Sequence, residues 1–321
     1  MSPTPRKSIH VRDDRGRLLR LSEPPQRIVS LVPSDTYSLL RLGAKPRLIG
    51  RTRYCVAPEK DVEEIPIVGG TKDADVDQII TLAPDLVIAN QEENTKQDIE
   101  RLEQAGLRVL VSFPKRVAEG IAHLARLAVV LGHAGSAAGP ARDLIARAYH
   151  GLRAATAGDF ASVGAPLGAL GAAPEPPIRA FVPIWMAPLM TVNGETFISD
   201  MLAICGAENI FADRERRYPL AADLGEAPPL PAERIGDRDV RYPRVTLDEI
   251  VARVPDIILL PDEPHPFTSA DAQVFRALDV PAARHGQVVF CDGKDLMWYG
   301  ARSIEGLERL ATLIEAARVI R

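Results

Sequence analysis

The sequence predicts an α/β protein built as two similar lobes. Three observations carry that reading. Strand-like and helix-like segments alternate in both halves of the 321 residues, the pattern of parallel βαβ units. A stretch with no strand signal, from 113 to 178, separates the halves. Two segments, 76–88 and 247–259, read as copies: an acid, a short amphipathic helix, Pro-Asp, then an apolar β-branched run. Asp77 matches Asp248 and Pro84 matches Pro255, a constant offset of 171 residues. Solenoid periods run about 20–50 residues, so the repeat points to duplicated lobes and a ligand held between them.

In chain order, 9–21 alternates around Asp13-Asp14-Arg15-Gly16 and predicts a hairpin. A strand at 28–32 stops at Pro33-Ser34-Asp35, where Ser34 or Asp35 is placed to cap a helix over 36–42. A strand starts at 47–49, and 65–68 is apolar before Gly69-Gly70. Helix 76–82 leads into strand 86–89, and helix 98–105 into strand 108–112. Helices follow over 117–131 and 137–156. Residues 158–177 are rich in Gly, Ala and Pro and read as an irregular linker. The second half restarts with strand 179–184 and helix 196–205. Then come helix 247–253, strand 257–260, helix 270–277, strand 288–291 and a closing helix over 303–318. The Pro- and charge-rich run 214–244 fits no regular element. The domain boundaries predicted are 1–135 for the first lobe, 136–157 for a connecting helix, 158–178 for a loop and 179–321 for the second lobe.

Composition limits the partners. Hydrophobic residues make up 46% and charged residues 26%, an ordinary globular balance, and the net charge of −4 gives no bulk field for nucleic acid or anionic membrane. The N-terminus has no apolar core of a signal peptide, and no window is long and apolar enough to span a bilayer, so the chain as written reads as cytoplasmic. Cys55, Cys205 and Cys291 form no C-x-x-C and read as small buried hydrophobes, with a Cys55–Cys205 bridge left open.

Enzyme motifs are missing. There is no G-x-G-x-x-G, no phosphate loop, no G-x-S-x-G and no paired-histidine metal motif, so no catalytic residue, metal site or cofactor is assigned. His265, in a Pro-flanked turn after an apolar strand, is the histidine placed where ligand loops sit. Aromatics are scarce at 5%, yet Tyr54, Trp185, Tyr242, Trp298 and Tyr299 all fall in loops, mostly after strand ends. Five flat faces in such positions suit a large planar ligand. Asn90 opens the polar run 90–94, which serves either ligand amides or the cap of the next helix. Asp77 and Asp248 lie in first helical turns, where the helix dipole favours an acid. Their equivalence in two lobes also suits docking onto a basic two-fold partner.

The runs Arg27-Ile28-Val29-Ser30-Leu31-Val32-Pro33-Ser34, Leu48 to Cys55, Val68-Gly69-Gly70 and Leu82 to Ala89 resemble the class III substrate-binding proteins of ABC importers. So do Asn193 to Asp200, Gly206 to Phe211 and Tyr242 to Asp248. The resemblance covers about 9–320 and is nearest to the cobalamin-binding branch. It implies two Rossmann-like lobes joined by one rigid helix, a cobalamin-like corrinoid in the cleft, a monomer, and an ABC permease dimer as partner. It puts Tyr54 and Tyr242 against the corrin, and Asp77 and Asp248 where the branch carries paired glutamates that meet the permease. Thr71 and Asn90 stand where the branch tends to have tryptophan. An iron-siderophore, haem or metal ion on the same fold is an alternative, with Arg51, Arg53 or Arg302 as cations for a siderophore. A cytosolic corrinoid- or metal-handling protein without a permease is another.

Overall fold

The computed structural model describes residues 8–133, 139–156 and 176–321. The chain divides into two compact units. Unit 1 is Met1–His150 with Trp298–Ile304, and unit 2 is Gly151–Met297 with Glu305–Arg321.

Unit 1 opens with the expected hairpin, β1 (Ile9–Arg12) and β2 (Leu18–Leu21). It continues as β3 (Ile28–Ser30), α1 (Pro33–Arg41), β4 (Leu48–Arg51), α2 (Glu59–Val62), α3 (Val76–Leu82), β5 (Leu86–Asn90), α4 (Lys96–Gln104), β6 (Val109–Ser112) and α5 (Val117–Val130). The mid-chain helix α6 (Pro140–Thr156) carries the chain onward. Its expected start at 137, and most of the expected loop at 158–178, lie outside the described residues. Four strands form a parallel sheet in the order β4-β3-β5-β6. Every residue of β3, β5 and β6 is buried. That explains their unbroken apolar runs, because helices cover both faces.

Unit 2 contains β7 (Ile178–Phe181), β8 (Trp185–Met186), β9 (Leu189–Met190), α7 (Phe197–Ile204), β10 (Ala207–Asn209), α8 (Leu220–Asp223), α9 (Ala232–Ile235) and α10 (Leu247–Ala252). Then follow β11 (Ile257–Pro261), α11 (Ser269–Arg276), α12 (Pro281–Arg284), β12 (Val288–Cys291), α13 (Gly293–Met297) and α14 (Ala301–Ile320). Its parallel sheet runs β10-β7-β11-β12. Numbered by order of use, both sheets read 2-1-3-4, so the lobes share one topology. Phe181, Phe211 and Phe275 fill the centre of unit 2 with ring centroids 5.5–5.9 Å apart.

The sequence repeat has a physical cause in each unit. After α3, Ala83 takes a left-handed conformation at φ 44°, and after α10, Val254 does so at φ 48°. A Pro-Asp pair follows each. The Asp85 carboxylate accepts the backbone N–H groups of Gln26 and Arg27 at 2.8 and 2.9 Å, and the Asp256 carboxylate accepts that of Arg179 at 3.0 Å. In return Asp85 N–H donates to the Arg27 carbonyl and Asp256 N–H to the Arg179 carbonyl. The guanidinium groups of Arg27 and Arg179 reach back to the Leu82 carbonyl at the end of α3 and to the Arg253 carbonyl at the C-cap of α10. Each repeat therefore ties a helix end and two central strands into one corner. Replacing the buried Asp256 with Ala is expected to cost about 1–3 kcal/mol, the range for leaving a buried donor unpaired, as read from the denaturation midpoint.

Two expectations need correction. Neither Ser34 nor Asp35 caps α1, which starts earlier, with Pro33 at its first position and Val32 as N-cap. Proline presets the helical φ at that position, and the Asp35 side chain goes elsewhere. The strand predicted over 179–184 ends at Phe181, and β8 and β9 form a separate antiparallel ribbon. The three cysteines are free, Cys55 and Cys205 buried as the sequence reading had them and Cys291 half-buried, and burial pushes the Cys205 and Cys291 thiols up to about 12.

Candidate functional site

In open parallel sheets, ligands settle beyond the carboxyl ends of the strands, where the strand order reverses. That reversal falls between β3 and β5 in unit 1 and between β7 and β11 in unit 2. The two units treat it differently.

In unit 1 the reversal is filled by protein. Asp35, in the first turn of α1, is fully buried. One carboxylate oxygen lies 2.9 Å from Nε2 of the buried His123 on α5. The other accepts the Tyr299 hydroxyl at 3.0 Å and the Ser112 hydroxyl at 3.3 Å. Ser112 and Tyr299 oxygens are 2.8 Å apart, and the Asn90 amide donates to the Tyr299 oxygen at 3.2 Å. Burial, with Asp35 alongside, pushes the Tyr299 phenol well above its ordinary pKa, so it stays a donor. Trp298 is buried next to it, edge-on to Tyr37 with centroids 6.2 Å apart.

Three sequence-predicted ligand contacts are therefore interior groups. Trp298 and Tyr299 do not extend from the β12 turn as open faces. They follow α13 and pack into unit 1. Asn90 offers no free amide: its carbonyl oxygen accepts the Glu92 and Glu93 N–H groups at 2.7 and 3.1 Å, which turns the chain out of β5. Asn94 locks the same turn through the Asn90 N–H and the Leu31 and Thr71 carbonyls.

Tyr54 remains outside this interior. It follows β4 and is 52% exposed. The Arg53 guanidinium covers one face at 5.2 Å and pairs with Asp73 at 2.5 Å. Gly69 shapes the adjoining loop at φ 94°, where a Cβ would lie 2.5 Å from the Asp73 carbonyl oxygen.

In unit 2 the reversal carries one exposed ring and one half-buried one. Trp185, just beyond β7, is 43% exposed and anchored by its indole N–H to the Ala187 carbonyl at 3.1 Å. His265, beyond β11, lies 5.4 Å from Trp185 and 4.7 Å from the buried Phe267, centroid to centroid. Its Nε2 has no hydrogen-bond partner among the described residues, with Asp271 3.7 Å away. Hydrogen bonds from the Thr268 backbone and hydroxyl, then the nearby His265, hold the Asp271 carboxyl below its usual range.

The β8–β9 ribbon gains a third strand-like edge. Met190 bridges Arg244, and the Thr191 and Val245 N–H groups donate to the Pro243 and Leu189 carbonyls. Directly opposed residues share a face, and alternate residues share it too. Met186, Leu189 and Val245 pack on the core. Trp185, Met190 and Arg244 thus share the other face, and the half-buried Tyr242 stands in the bend two residues before Arg244. The Arg241 guanidinium stacks on Tyr242 at 5.2 Å.

Asp77 and Asp248 are both exposed and both stand second in their helices, α3 and α10. Asp75 and Thr246 provide the caps, so neither acid is needed for that task. Asp77 pairs with Arg101 at 3.0 Å.

A groove of about 700 Å³ lies elsewhere in unit 1, lined by Leu40, Leu42, Ala125, Val129, Pro140 and Ile145. It opens at the C-terminal end of α1. In a βαβ unit that end faces away from the strands' carboxyl ends, so it is not the ligand edge.

A family model for periplasmic binding proteins matches residues 28–294. The chain belongs to that family. The vitamin B12-binding protein of Photorhabdus laumondii is 27% identical over 236 residues, 74% of this chain and 70% of the relative. Among solved structures, the periplasmic vitamin B12-binding protein of Vibrio cholerae is similar in fold, with TM-score 0.66, 21% identity, and coverage of 92% of this chain and 98% of that one. A periplasmic haem-binding protein from Pseudomonas aeruginosa gives TM-score 0.68 at 19% identity over 90% and 92% of the two chains. The protein is accordingly a substrate-binding protein of the periplasmic binding protein family, not an enzyme. The family is periplasmic, in keeping with the class that the sequence resembles. Among the described residues, no helix is long and apolar enough to cross a membrane.

Proposed function

We propose that this chain is the receptor of an ABC importer for a cobalamin-like corrinoid. The observation that carries the reading is the exposed Trp185 at the strand reversal of unit 2, with the half-buried Tyr242 in the bend that leads into the ribbon's third edge. An indole and a phenol held by backbone pairing offer flat apolar surface at little entropic cost, which suits a large macrocycle. In unit 1 the exposed Tyr54, backed by Arg53, is a separate flat face of the same kind. The vitamin B12-binding relatives support the same ligand class.

Asp77 and Asp248 are the acids proposed to meet the permease. Their matched positions, second in two equivalent helices, support that role, since both helices are capped without them. The receptor is proposed to act as a monomer, with no cofactor of its own.

His265 favours a second ligand. Its imidazole lies beside the exposed Trp185 indole, and haem-binding proteins share the fold, although Nε2 itself is buried and would have to turn outward to meet the metal of a haem or iron chelate. Titrating the protein with cyanocobalamin and with haem, while following Trp185 emission in a Trp298→Phe background, separates the two. Quenching by the corrinoid alone supports the proposal, and quenching by haem alone replaces it.

A further inference from the structure

The run 214–244, which fits no regular pattern in the sequence, folds around a buried arginine, Arg214. Its guanidinium lies 3.0 Å from Asp223 and 3.2 Å from Glu249, and it also donates to the Asp223 and Arg244 carbonyls. The second Asp223 oxygen accepts the Arg244 backbone N–H at 2.7 Å. Local acid is thereby committed before two further arginines are counted.

Those are Arg216 and Arg244. The Arg216 guanidinium stacks on Tyr218 at 4.9 Å, and its buried Nε has no hydrogen-bond acceptor among the described residues. The buried Nε and Nη1 of Arg244 have none either; Asp223 lies 4.0 Å from Nη1, too far for a hydrogen bond. Arg238 approaches the same Tyr218 ring at 5.4 Å. Burial, and then the charge of Arg216, pull the Arg244 pKa below its ordinary value. Buried guanidinium N–H groups without acceptors, on side chains that repel each other, are costly unless something completes them.

We propose that Arg216 and Arg244 form an anion-binding subsite that takes a phosphate or carboxylate group. Arg244 stands two residues from Tyr242 and in the same cross-strand row as Trp185. An anionic arm of the ligand is thus within reach of the guanidinium pair while its ring meets the aromatics. Guanidinium forks match such oxyanions in shape and charge. Two sources fit the chemistry: a free anion, or an arm of the bound ligand such as the phosphodiester of a complete corrinoid. The second assignment rests on the corrinoid reading; the subsite itself does not.

The test uses the full chain, its Arg244→Gln variant and, should that variant fail to fold, Arg216→Gln. Inorganic phosphate at constant ionic strength is expected to raise the thermal midpoint of the wild type above a chloride control. Either substitution weakens that effect about tenfold, the loss of one charge-assisted contact. Titration with cyanocobalamin and with cobinamide, which lacks the phosphodiester, then separates the sources. If the arm is the occupant, the ratio of the two affinities falls about tenfold in the variants. A lost phosphate effect with an unchanged ratio keeps the subsite and assigns it to a free anion. Failure of both corrinoids to bind the wild type, with the phosphate effect intact there and lost in the variants, overturns the corrinoid reading and keeps the subsite. A wild type indifferent to phosphate and an unchanged ratio, or a phosphate effect that survives both substitutions, overturns the subsite.

Discussion

Replacing Asp35 with Ala is expected to destabilise unit 1 by about 3–5 kcal/mol, because His123, Tyr299 and Ser112 each lose a buried partner. Unpaired buried donors cost more than the exchange of one hydrogen bond for another, so the loss exceeds that of an exposed acid. The network also has long reach: Asp35 and Tyr299 are 264 residues apart in sequence. Losing it frees residues 298–304 from the rest of unit 1 as well as weakening one helix. The two tryptophans make the measurement direct. Trp298 belongs to unit 1 and Trp185 to unit 2, so a Trp185→Phe background leaves emission from unit 1 alone. Denaturant unfolding followed by Trp298 should move to a markedly lower midpoint in Asp35→Ala. Tyr299→Phe should show a smaller shift, since His123 and Ser112 stay bonded to Asp35. A midpoint unchanged in Asp35→Ala contradicts the account of this network.

The second large effect concerns binding. Trp185→Ala is expected to weaken corrinoid binding by about 2 kcal/mol, roughly thirtyfold, the scale of an aromatic anchor in a binding site. The indole lies outside the core cluster that holds Phe181, Phe211 and Phe275, and it is 43% exposed. Circular dichroism and the thermal midpoint should therefore stay near wild type while the dissociation constant rises in calorimetric titration. Equal affinity in the variant would remove Trp185 from the site.

Much of the scaffold was legible because its signals are local. The Pro-Asp corners at Pro84-Asp85 and Pro255-Asp256 act on strands that the alternation had already placed. Helices α3 and α10 begin at Val76 and Leu247, as their apolar spacing predicted, because Asp75 and Thr246 cap them. The site was legible only in part. Tyr54, Trp185 and Tyr242 kept solvent access after strands or on a ribbon edge. Trp298 and Tyr299 did not: their fate was set by Tyr37 and Asp35, partners over 250 residues away that no local pattern reveals. Strands β8 and β9 have two residues each, too few for alternation to register. The guanidinium pair of 214–244 was hidden for a related reason. Seven arginines among comparable numbers of acids look like a solvated charged run until the fold commits Asp223 and Glu249 to Arg214.

The central claim is that this periplasmic binding protein takes a corrinoid. Equilibrium dialysis of the purified chain against cyanocobalamin, in parallel with haem and a ferric siderophore, tests it most directly. The account predicts retention of one corrinoid per chain, weakened about thirtyfold in Trp185→Ala, with haem and siderophore left outside. Retention of haem or siderophore without the corrinoid would contradict it.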